Sequence, residues 1–371
     1  MRRFAVIMAG GSGERFWPAS RRARPKQLLR LTDPDRSMLE EAIDRIEPLI
    51  PRENVLIATS ELLQKPIRDG IPTLPPENVI GEPAKRNTAA CLALAAAHLE
   101  QRFGDPHELS MAVLTADHLI GDPTEFRSTV AAALDFAAEN DALVTIGVHP
   151  TRPDTGYGYI EVETPVTEDE RRAGADPSIR PVLHFREKPD LPTAEQYASS
   201  GRHLWNAGMF FWRVSTFLDG IAGAMPDLRR ATADIVEALG RGPSGAERVA
   251  DVFGSLEDIS IDYGLMERAD NVYVIPATFP WDDVGSWDSL TRTREPDANG
   301  NVTTGSPVLI DTKDCIIYDE CGDDTAVAVI GASNLIVATT PDGILICPKD
   351  RAQDVKKAVA HLRRQGRESR T

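Results

Sequence analysis

Residues 3–18 read Arg-Phe-Ala-Val-Ile-Met-Ala-Gly-Gly-Ser-Gly-Glu-Arg-Phe-Trp-Pro, and this stretch decides the fold. Its first six residues form a short apolar run, which is typical of a buried parallel strand. The glycines that follow leave the main chain bare, so phosphate oxygens can approach backbone N–H groups closely. Arg15 and Lys26 add positive charge to the same segment. The sequence therefore predicts a strand followed by a triphosphate-binding loop, made of Gly10, Gly11, Ser12 and Gly13.

Two common kinds of glycine loop can be excluded here. A Walker A loop needs Gly-x-x-x-x-Gly-Lys-Ser/Thr, which this segment lacks. A dinucleotide-binding fingerprint needs a third glycine where Phe16 stands. A tight turn with solvated cations remains as the plain structural alternative.

Apolar runs and helical patterns alternate along the first 150 residues. Strands are predicted at 3–8, 54–58, 79–80, 111–114 and 143–147, with helices between them. This alternation predicts a doubly wound α/β sheet. Ligands of such sheets bind at the carboxyl ends of the strands, where Gly10, Asp117 and Gly147 fall. Residues 156–161 open a more β-rich half, and the polar stretch 164–180 predicts a hairpin or lid.

The character of the sequence changes near residue 295. Short β-type runs recur after that point, which predicts a small β domain or a short β-helix. We therefore expect a catalytic domain over 1–295 and a β-rich domain over 296–371. Residues 351–364 form an amphipathic terminal helix, which either packs within one subunit or contributes to a homodimer.

Composition limits the classes of partner. The net charge of −16 disfavours a nucleic-acid-binding surface. The longest apolar run, Ala89–Ala97, is too short to span a bilayer, so no membrane partner is expected. The four cysteines form no Cys-x-x-Cys pair, as expected for reduced thiols in a cytoplasmic protein.

Several acidic and basic residues lie where predicted strands end. Asp117 suits Mg²⁺, and either Asp282 or Asp283 could supply a second carboxylate. His118 could suggest zinc, but no Cys/His cluster supports that metal. Lys188 offers a point charge for a phosphate. Glu187 and Asn206 could hold sugar hydroxyls. Asp262 fits the start of a helix better than a ligand role.

The glycine loop and the Pro25-Lys26-Gln27 segment closely resemble the signature of the sugar-nucleotide pyrophosphorylases. Trp17-Pro18-Ala19-Ser20 resembles the mannose-1-phosphate guanylyltransferase branch of that family. Further blocks resemble the family in family order: Gly81-Glu82-Pro83, Arg86-Asn87-Thr88-Ala89-Ala90, Gly156-Tyr157-Gly158-Tyr159-Ile160, Glu187-Lys188-Pro189, Trp205-Asn206-Ala207-Gly208 and Asp283-Val284-Gly285-Ser286-Trp287. Thr115 stands where the family often has proline.

This resemblance implies a Rossmann-like nucleotidyltransferase fold with a mixed sheet, and transfer of GMP from GTP to α-mannose 1-phosphate with Mg²⁺ or another divalent cation. It implies catalytic roles for Arg15, Lys26 and Lys188. Nucleotide contacts would come from Gly10, Gly11, Ser12, Gly13, Glu82, Asn87, Thr88 and Asp117. Sugar contacts would come from Gly147, Tyr157, Gly158, Glu187, Asn206 and Gly208. The family pattern places Asp283, beside Asp117, in the metal position.

Two other functions stay open from the sequence. One is a nucleotidylyltransferase for a different base or hexose. The other is a catalytically silent regulatory subunit that binds sugar nucleotides. Long bacterial relatives continue into a phosphomannose isomerase domain, and that activity is expected to be absent.

Overall fold

The computed structural model describes residues 1–11, 13–172, 174, 178–322 and 325–371. Its strands are β1 Arg2–Met8, β2 Val55–Ser60, β3 Val79–Glu82, β4 Leu109–Thr115, β5 Leu119–Ile120, β6 Leu143–Val148, β7 Tyr159–Val162, β8 Arg180–Arg186, β9 His203–Arg213, β10 Val272–Pro276, β11 Trp281–Asp282, β12 Val302–Thr304, β13 Val308–Ile310, β14 Ile316–Asp319, β15 Ala328–Ile330, β16 Leu335–Thr340 and β17 Gly343–Pro348.

The α-helices are mostly in the first 260 residues. They are α1 Met38–Ile46, α2 Glu61–Gly70, α3 Asn87–Phe103, α4 Pro123–Asn140, α5 Leu191–Ser200, α6 Val214–Ala224, α7 Pro226–Gly240, α8 Ala246–Gly254, α9 Leu290–Thr293 and α10 Val355–Arg364. A π-helical turn also spans Asp262–Met266. Ser37 begins α1 with a capping box, because its backbone N–H and hydroxyl both donate to Glu40.

The chain packs into two compact units. The first, here called the sheet unit, comprises Met1–Ala9, Ile43–Thr115 and Ile120–Pro280. The second, here called the loop unit, comprises Gly10–Ala42, Ala116–Leu119 and Trp281–Thr371. The glycine loop therefore packs with the C-terminal segment, although residues 10–42 precede most of the sheet unit in the chain. The division into a catalytic domain over 1–295 and a β-rich domain over 296–371 stays a prediction.

A nine-stranded sheet forms the sheet unit, in the order β3-β2-β1-β4-β9-β6-β10-β8-β7. β1 is parallel to β2 and β4, and β6 is parallel to β10. β9 is antiparallel to β4, β6 and β7. The predicted α/β fold with a mixed sheet is confirmed. Antiparallel β7 and β8 flank the predicted hairpin, of which residues 173 and 175–177 lie outside the described residues.

The core of the sheet unit lies against β1 and α3. Phe4, Val6 and the alanines and leucines of α3 form one buried cluster with Phe210 and Trp212. Because α3 is apolar almost all round, it can be buried on most of its surface. The apolar run Ala89–Ala97 is thus the centre of a core helix.

The loop unit has a separate core that joins the glycine-loop segment to the C-terminal strands. The ring centroid of Trp287 lies 5.2 Å from that of Phe16 and 5.0 Å from that of Tyr318. Leu29 and Val355 belong to the same buried cluster. Residues that follow the glycine loop therefore pack against side chains from beyond residue 280.

Parallel strands stack beyond residue 300. Val302 pairs with Ile316, and Ile316 with Ile336, so β12, β14 and β16 form successive parallel rungs. β13 and β15 form a second parallel pair, while β17 returns antiparallel to β16. This stacking confirms the predicted β domain of short β-helix type.

The terminal helix finds its packing partners within the loop unit. Val355 and Val359 are 3% and 1% exposed, and Leu362 is half-buried. Arg363 also forms an ion pair with Glu14, with 2.6 Å between Nη1 and Oε1. The apolar face of α10 is therefore covered by its own chain.

Two further features of the structure concern membrane-spanning helices and the cysteines. None of the helices in the described part of the chain is both long and apolar enough to cross a membrane. Cys91, Cys315, Cys321 and Cys347 are all free thiols.

Candidate active site

The glycine loop follows β1 and folds back onto Lys26. Gly13 has a left-handed φ of 59°, and a Cβ there would lie 2.5 Å from the Cβ of Lys26. Only glycine fits both demands. Ser20 donates its hydroxyl hydrogen bond to the carbonyl of Gly13. The loop is thereby fixed beside Lys26.

The rest of the loop is open. Gly10 and Gly11 are exposed, and a Cβ on Gly11 would meet no atom within 4 Å. Packing therefore does not require glycine at 11. Arg15 is exposed and has no ion-pair partner among the described residues. Ser12, which the sequence also assigned to the phosphate loop, lies outside the described residues.

Lys26 brings three of the predicted site residues together. Its side chain is buried, and Nζ lies 2.9 Å from Oδ2 of Asp117. The same Nζ donates to the backbone carbonyl of Asp283 at 2.7 Å. Burial alone would raise the pKa of Asp117, but Lys26 and His118 outweigh it and hold this pKa below its usual value. Asp117 is therefore a carboxylate at neutral pH.

His118 has a structural contact that the sequence did not suggest. Its Nδ1 accepts a hydrogen bond from the indole Nε1 of Trp281 at 3.1 Å. The two rings meet edge to face, with centroids 5.3 Å apart. Nε2 lies 4.0 Å from Oδ1 of Asp117. Because Nδ1 accepts, a neutral His118 ring carries its proton on Nε2, beside Asp117, and this makes His118 a poor candidate for a zinc ligand.

The sequence left open whether Asp282 or Asp283 supplies the second carboxylate, and the two side chains differ in their hydrogen-bond partners. Arg292 Nε donates to Oδ2 of Asp282 at 2.7 Å, and the backbone N–H of Val284 donates to Oδ1 at 2.8 Å. Both oxygens of Asp282 are thus engaged, and this side chain is buried. Asp283 is half-buried. Asp283 stays the metal-binding carboxylate that the family resemblance implies.

The donor set suits a magnesium ion. The described residues contain no group of three or more His, Cys, Asp or Glu side chains that could form an all-protein metal cage. Mg²⁺ commonly uses only one or two carboxylates, and takes its other ligands from phosphates and water. The Asp117 carboxylate and the backbone of Asp283 both contact the Lys26 ammonium, so the two residues that the resemblance assigns to the metal lie close together in the folded chain.

The predicted sugar-side residues lie in the sheet unit, at the end of β8. Glu187 Oε1 is 2.8 Å from Nζ of Lys188, whose backbone has a left-handed φ of 46°. A Cβ on Gly158 would clash with Oε2 of Glu187, which explains the glycine. Burial tends to lower the pKa of Lys188, but Glu187, Tyr263 and Asp262 raise it overall.

Gly147 and Tyr157 support this region by packing. A Cβ on Gly147 would lie 2.6 Å from Cδ1 of Leu204. The ring of Tyr157 meets the ring of Trp205 at a centroid distance of 4.9 Å. Both residues shape the ends of β6 and β9.

Asn206 is the centre of a hydrogen-bond network on β9. Its Oδ1 accepts from the hydroxyl of Thr145 at 3.0 Å and from the backbone N–H of Gly208 at 3.1 Å. Its Nδ2 donates to Oδ1 of Asp262 at 2.9 Å. Asn206 is therefore a strand residue whose side chain also caps the backbone N–H of Gly208. Asp262 begins the π-helical turn, but it also reaches Asn206, which sequence reasoning missed.

The predicted base-binding segment surrounds the start of α3. Asn87 has a left-handed φ of 62°, and its Oδ1 accepts from the N–H of Thr88 at 2.9 Å. The Thr88 hydroxyl accepts from the N–H of Ile261 at 2.8 Å. Burial raises the pKa of Glu82 at the end of β3, against a hydrogen bond with Cys91. The segment presents a helix N-terminus beside a partly buried carboxyl group.

Family models match nearly the whole chain. A nucleotidyl transferase model matches residues 4–300, and a MannoseP isomerase/GMP-like β-helix domain model matches residues 305–362. A mannose-1-phosphate guanylyltransferase of Klebsiella pneumoniae is 38% identical over 365 residues, covering 98% of this chain and 74% of that protein. The chain belongs to the mannose-1-phosphate guanylyltransferase family.

Other relatives agree with this family. The xanthan biosynthesis protein XanB of Xanthomonas campestris pv. campestris strain B100 is 36% identical over 383 residues, covering 99% of this chain and 74% of XanB. A crystal structure described as mannose-1-phosphate geranyltransferase from Thermus thermophilus has a TM-score of 0.83 and 34% identity. It covers 98% of this chain and 100% of that one. The resemblance to mannose-1-phosphate guanylyltransferases noted in the sequence is confirmed.

Proposed function

We propose that the protein transfers GMP from GTP to α-mannose 1-phosphate, releasing pyrophosphate and forming GDP-mannose. One observation carries the proposal: Lys26 lies beside the glycine loop and contacts both Asp117 and Asp283. This arrangement brings together an open main-chain loop, a buried cation, the Asp117 carboxylate and the backbone of Asp283. The relatives named mannose-1-phosphate guanylyltransferase support the choice of substrates.

The reaction is an in-line displacement at the α-phosphorus of GTP. A phosphate oxygen of mannose 1-phosphate forms the new bond to phosphorus, and the bond to the bridging oxygen of pyrophosphate breaks. The proton count does not change, because the attacking oxygen is already ionised. Positioning and charge neutralisation supply most of the rate in such phosphoryl transfers.

The loop unit supplies the triphosphate side of this reaction. Backbone N–H groups of Gly10, Gly11, Ser12 and Gly13 bind the phosphates in this proposal. Arg15 and Lys26 offset the charge that develops on the leaving pyrophosphate. Asp117 and Asp283 hold Mg²⁺ or another divalent cation, which when bound neutralises phosphate charge.

The sheet unit supplies the base and sugar contacts in this proposal. Glu82, Asn87 and Thr88 bind the guanine nucleoside. Lys188 steers the sugar phosphate, and the hexose contacts come from Gly147, Tyr157, Gly158, Glu187, Asn206 and Gly208. The free thiols suit a reducing compartment, so we place this reaction in the cytoplasm.

A substrate grid tests the proposed function. Pyrophosphate release is measured for each of four nucleoside triphosphates paired with mannose, glucose, galactose and N-acetylglucosamine 1-phosphates. GTP with mannose 1-phosphate should give the highest kcat/KM. A higher value for another pair would reassign the substrates. Absence of release from every pair, with retained binding of GDP-mannose, would instead indicate a silent regulatory subunit.

We also propose that two chains form a homodimer through the C-terminal strands. Large apolar side chains are exposed on β13, β15 and β17: Val308, Ile310, Ile330, Ile344 and Ile346. Exposed apolar side chains on edge strands favour association with another chain, and a second copy carries the same surface, which can be self-complementary.

Light scattering tests the dimer. The native protein should have twice the 40.5 kDa mass of one chain, and Ile330→Lys should lower that mass. Leu62→Lys is the matched control, because Leu62 is an exposed apolar residue on α2. A native mass of 40.5 kDa would exclude this dimer.

A further inference from the structure

Asp262 lies in a position that no recognised sequence block marks. It begins the π-helical turn Asp262–Met266, a form of helix that is often found at functional sites. The residue before it, Ile261, donates its N–H to the hydroxyl of Thr88. The turn is thereby fixed to the segment that starts α3, and Asp262 is fixed with it.

The hydrogen bonds around Asn206 determine which oxygen of Asp262 is engaged. The backbone N–H of Gly208 can only donate, so the group of Asn206 that it meets is Oδ1 and the amide nitrogen faces Asp262. That nitrogen donates to Oδ1 of Asp262 at 2.9 Å. No other residue among those described donates a hydrogen bond to the second oxygen, Oδ2. Asp262 is half-buried, so this oxygen can still meet a ligand.

The surroundings of Asp262 favour a neutral hydrogen-bond donor as its partner. Burial raises its pKa to about 6, and the nearby Glu187 carboxylate adds to this effect. Asn206 and Lys188 act in the opposite direction. The Asp262 and Glu187 carboxylates thus lie near each other, and the nearby Lys188 ammonium is paired with Glu187. Hydroxyl groups of a sugar match such a set of acceptors, because each hydroxyl can donate one hydrogen bond.

We propose that Asp262 accepts a hydrogen bond from a hexose hydroxyl through Oδ2 and is a specificity-determining residue for the sugar 1-phosphate. The inference rests on the proposed function, because it assigns a further residue to the sugar side of that reaction. Through its other oxygen, Asp262 also holds the Asn206 amide in place. A site that hydrogen-bonds a substrate hydroxyl discriminates strongly against sugars that lack it.

Asp262→Asn separates these two roles. The asparagine oxygen can still accept from Asn206, while an NH₂ group replaces Oδ2 and cannot accept. The KM for mannose 1-phosphate should rise about 10-fold or more, since hydrogen bonds to charged groups are among the stronger ones. The KM for GTP should change by less than about twofold, because the substitution is on the sugar side. Asp270→Asn, at an exposed aspartate in the same part of the chain, is the matched control.

Deoxy sugars give the decisive readout. The native enzyme and Asp262→Asn are each assayed with 2-, 3-, 4- and 6-deoxy-mannose 1-phosphates. Removing the hydroxyl that contacts Asp262 should impair the native enzyme but have little further effect on the variant. Such non-additivity is the signature of direct contact. A purely structural role would leave all four deoxy effects equal in both proteins, and would overturn the inference.

The pH dependence gives a second check. Asp262 accepts best as a carboxylate, so mannose 1-phosphate binding by the native enzyme should weaken as pH falls through about 6. The substrate phosphate also gains a proton at about pH 6, so the variant should keep that part of the step and lose less binding than the native enzyme over the same pH range. A step of equal size in both proteins would count against Asp262. If the native enzyme does not use mannose 1-phosphate at all, the proposed function fails first, and the grid described above shows this separately.

Discussion

Replacing Lys26 by methionine would remove a buried charge while keeping a long unbranched side chain in the same space. Lys26 Nζ contacts the Asp117 carboxylate at 2.9 Å and the Asp283 carbonyl at 2.7 Å. Both contacts vanish in Lys26→Met. We therefore expect losses in both catalysis and stability, and their sizes can be estimated separately.

The stability loss depends on how well water can replace Lys26. Breaking a fully buried ion pair costs about 3–5 kcal/mol, because it leaves the partner charge uncompensated. The Asp117 side chain is 33% exposed, whereas that of Lys26 is 6% exposed. Water can therefore solvate part of the remaining carboxylate, and we expect a free energy of unfolding lower by about 2 kcal/mol.

The catalytic loss should be larger. Removing one preorganised group that stabilises transition-state charge typically lowers kcat by a factor of about 10²–10³. Pyrophosphate release at saturating GTP and mannose 1-phosphate measures this factor. Lys65→Met is the control, because Lys65 is an exposed lysine whose side chain is paired with Asp69. A kcat for Lys26→Met within about threefold of the native value would refute the assignment of Lys26 to the transition state.

A double variant distinguishes the two losses. In Lys26→Met/Asp117→Asn no unpaired carboxylate remains, so stability should partly recover relative to Lys26→Met alone. Activity should not recover, because neither the cation nor the metal-binding carboxylate is present. Recovery of activity together with stability would mean that Lys26 acts only through folding.

Three further predictions concern the metal, the sugar phosphate and the C-terminal strands. Asp283→Asn should lower kcat by orders of magnitude at an unchanged melting temperature. Asp282→Asn should mainly lower the melting temperature, because it weakens the contact with Arg292. The reverse pattern would assign the metal to Asp282. Lys188→Ala should weaken equilibrium binding of mannose 1-phosphate much more than that of GTP, and equal losses would contradict a sugar-side role. Truncation after residue 300 should give insoluble or inactive protein, because it removes half of the loop-unit core; a soluble truncation with native activity would show that this core is dispensable.

The sequence predicted those features of the fold that depend on neighbouring residues in the chain. An apolar run before a glycine cluster is a local signal, and β1 with the glycine loop after it follows from that signal. The choice between Asp282 and Asp283 was not a local matter. These neighbours have identical chemistry, and they differ in contacts that form only in the folded chain, such as the hydrogen bonds from Arg292 and Val284 to Asp282. Sequence spacing carries no information about such a contact until the fold is known.

Asp262 shows the same limit over a longer distance. Its prediction as a helix-start residue was locally reasonable, since it does begin a π-helical turn. Its contact with Asn206 joins residues 56 positions apart in the chain. Neither residue alone carries a signal for the other. The π-helical turn could have drawn attention to Asp262, but such turns have no reliable sequence pattern.

The cations around the glycine loop divide into two groups by their partners. Arg21 forms an ion pair with Asp342, and Arg24 forms one with Glu320, so both are neutralised by the C-terminal strands. Trp17 adds a hydrogen bond from its indole N–H to the carbonyl of Arg370 at 2.7 Å. In the described part of the chain, Arg15 has no such acidic partner. The loop segment therefore uses the charges of Arg21 and Arg24 for ion pairs with the C-terminal segment and leaves Arg15 exposed, as its proposed role at a phosphate requires. This division explains why a chain with a net charge of −16 can still bind a triphosphate: local cations, not the overall charge, determine the field at the loop.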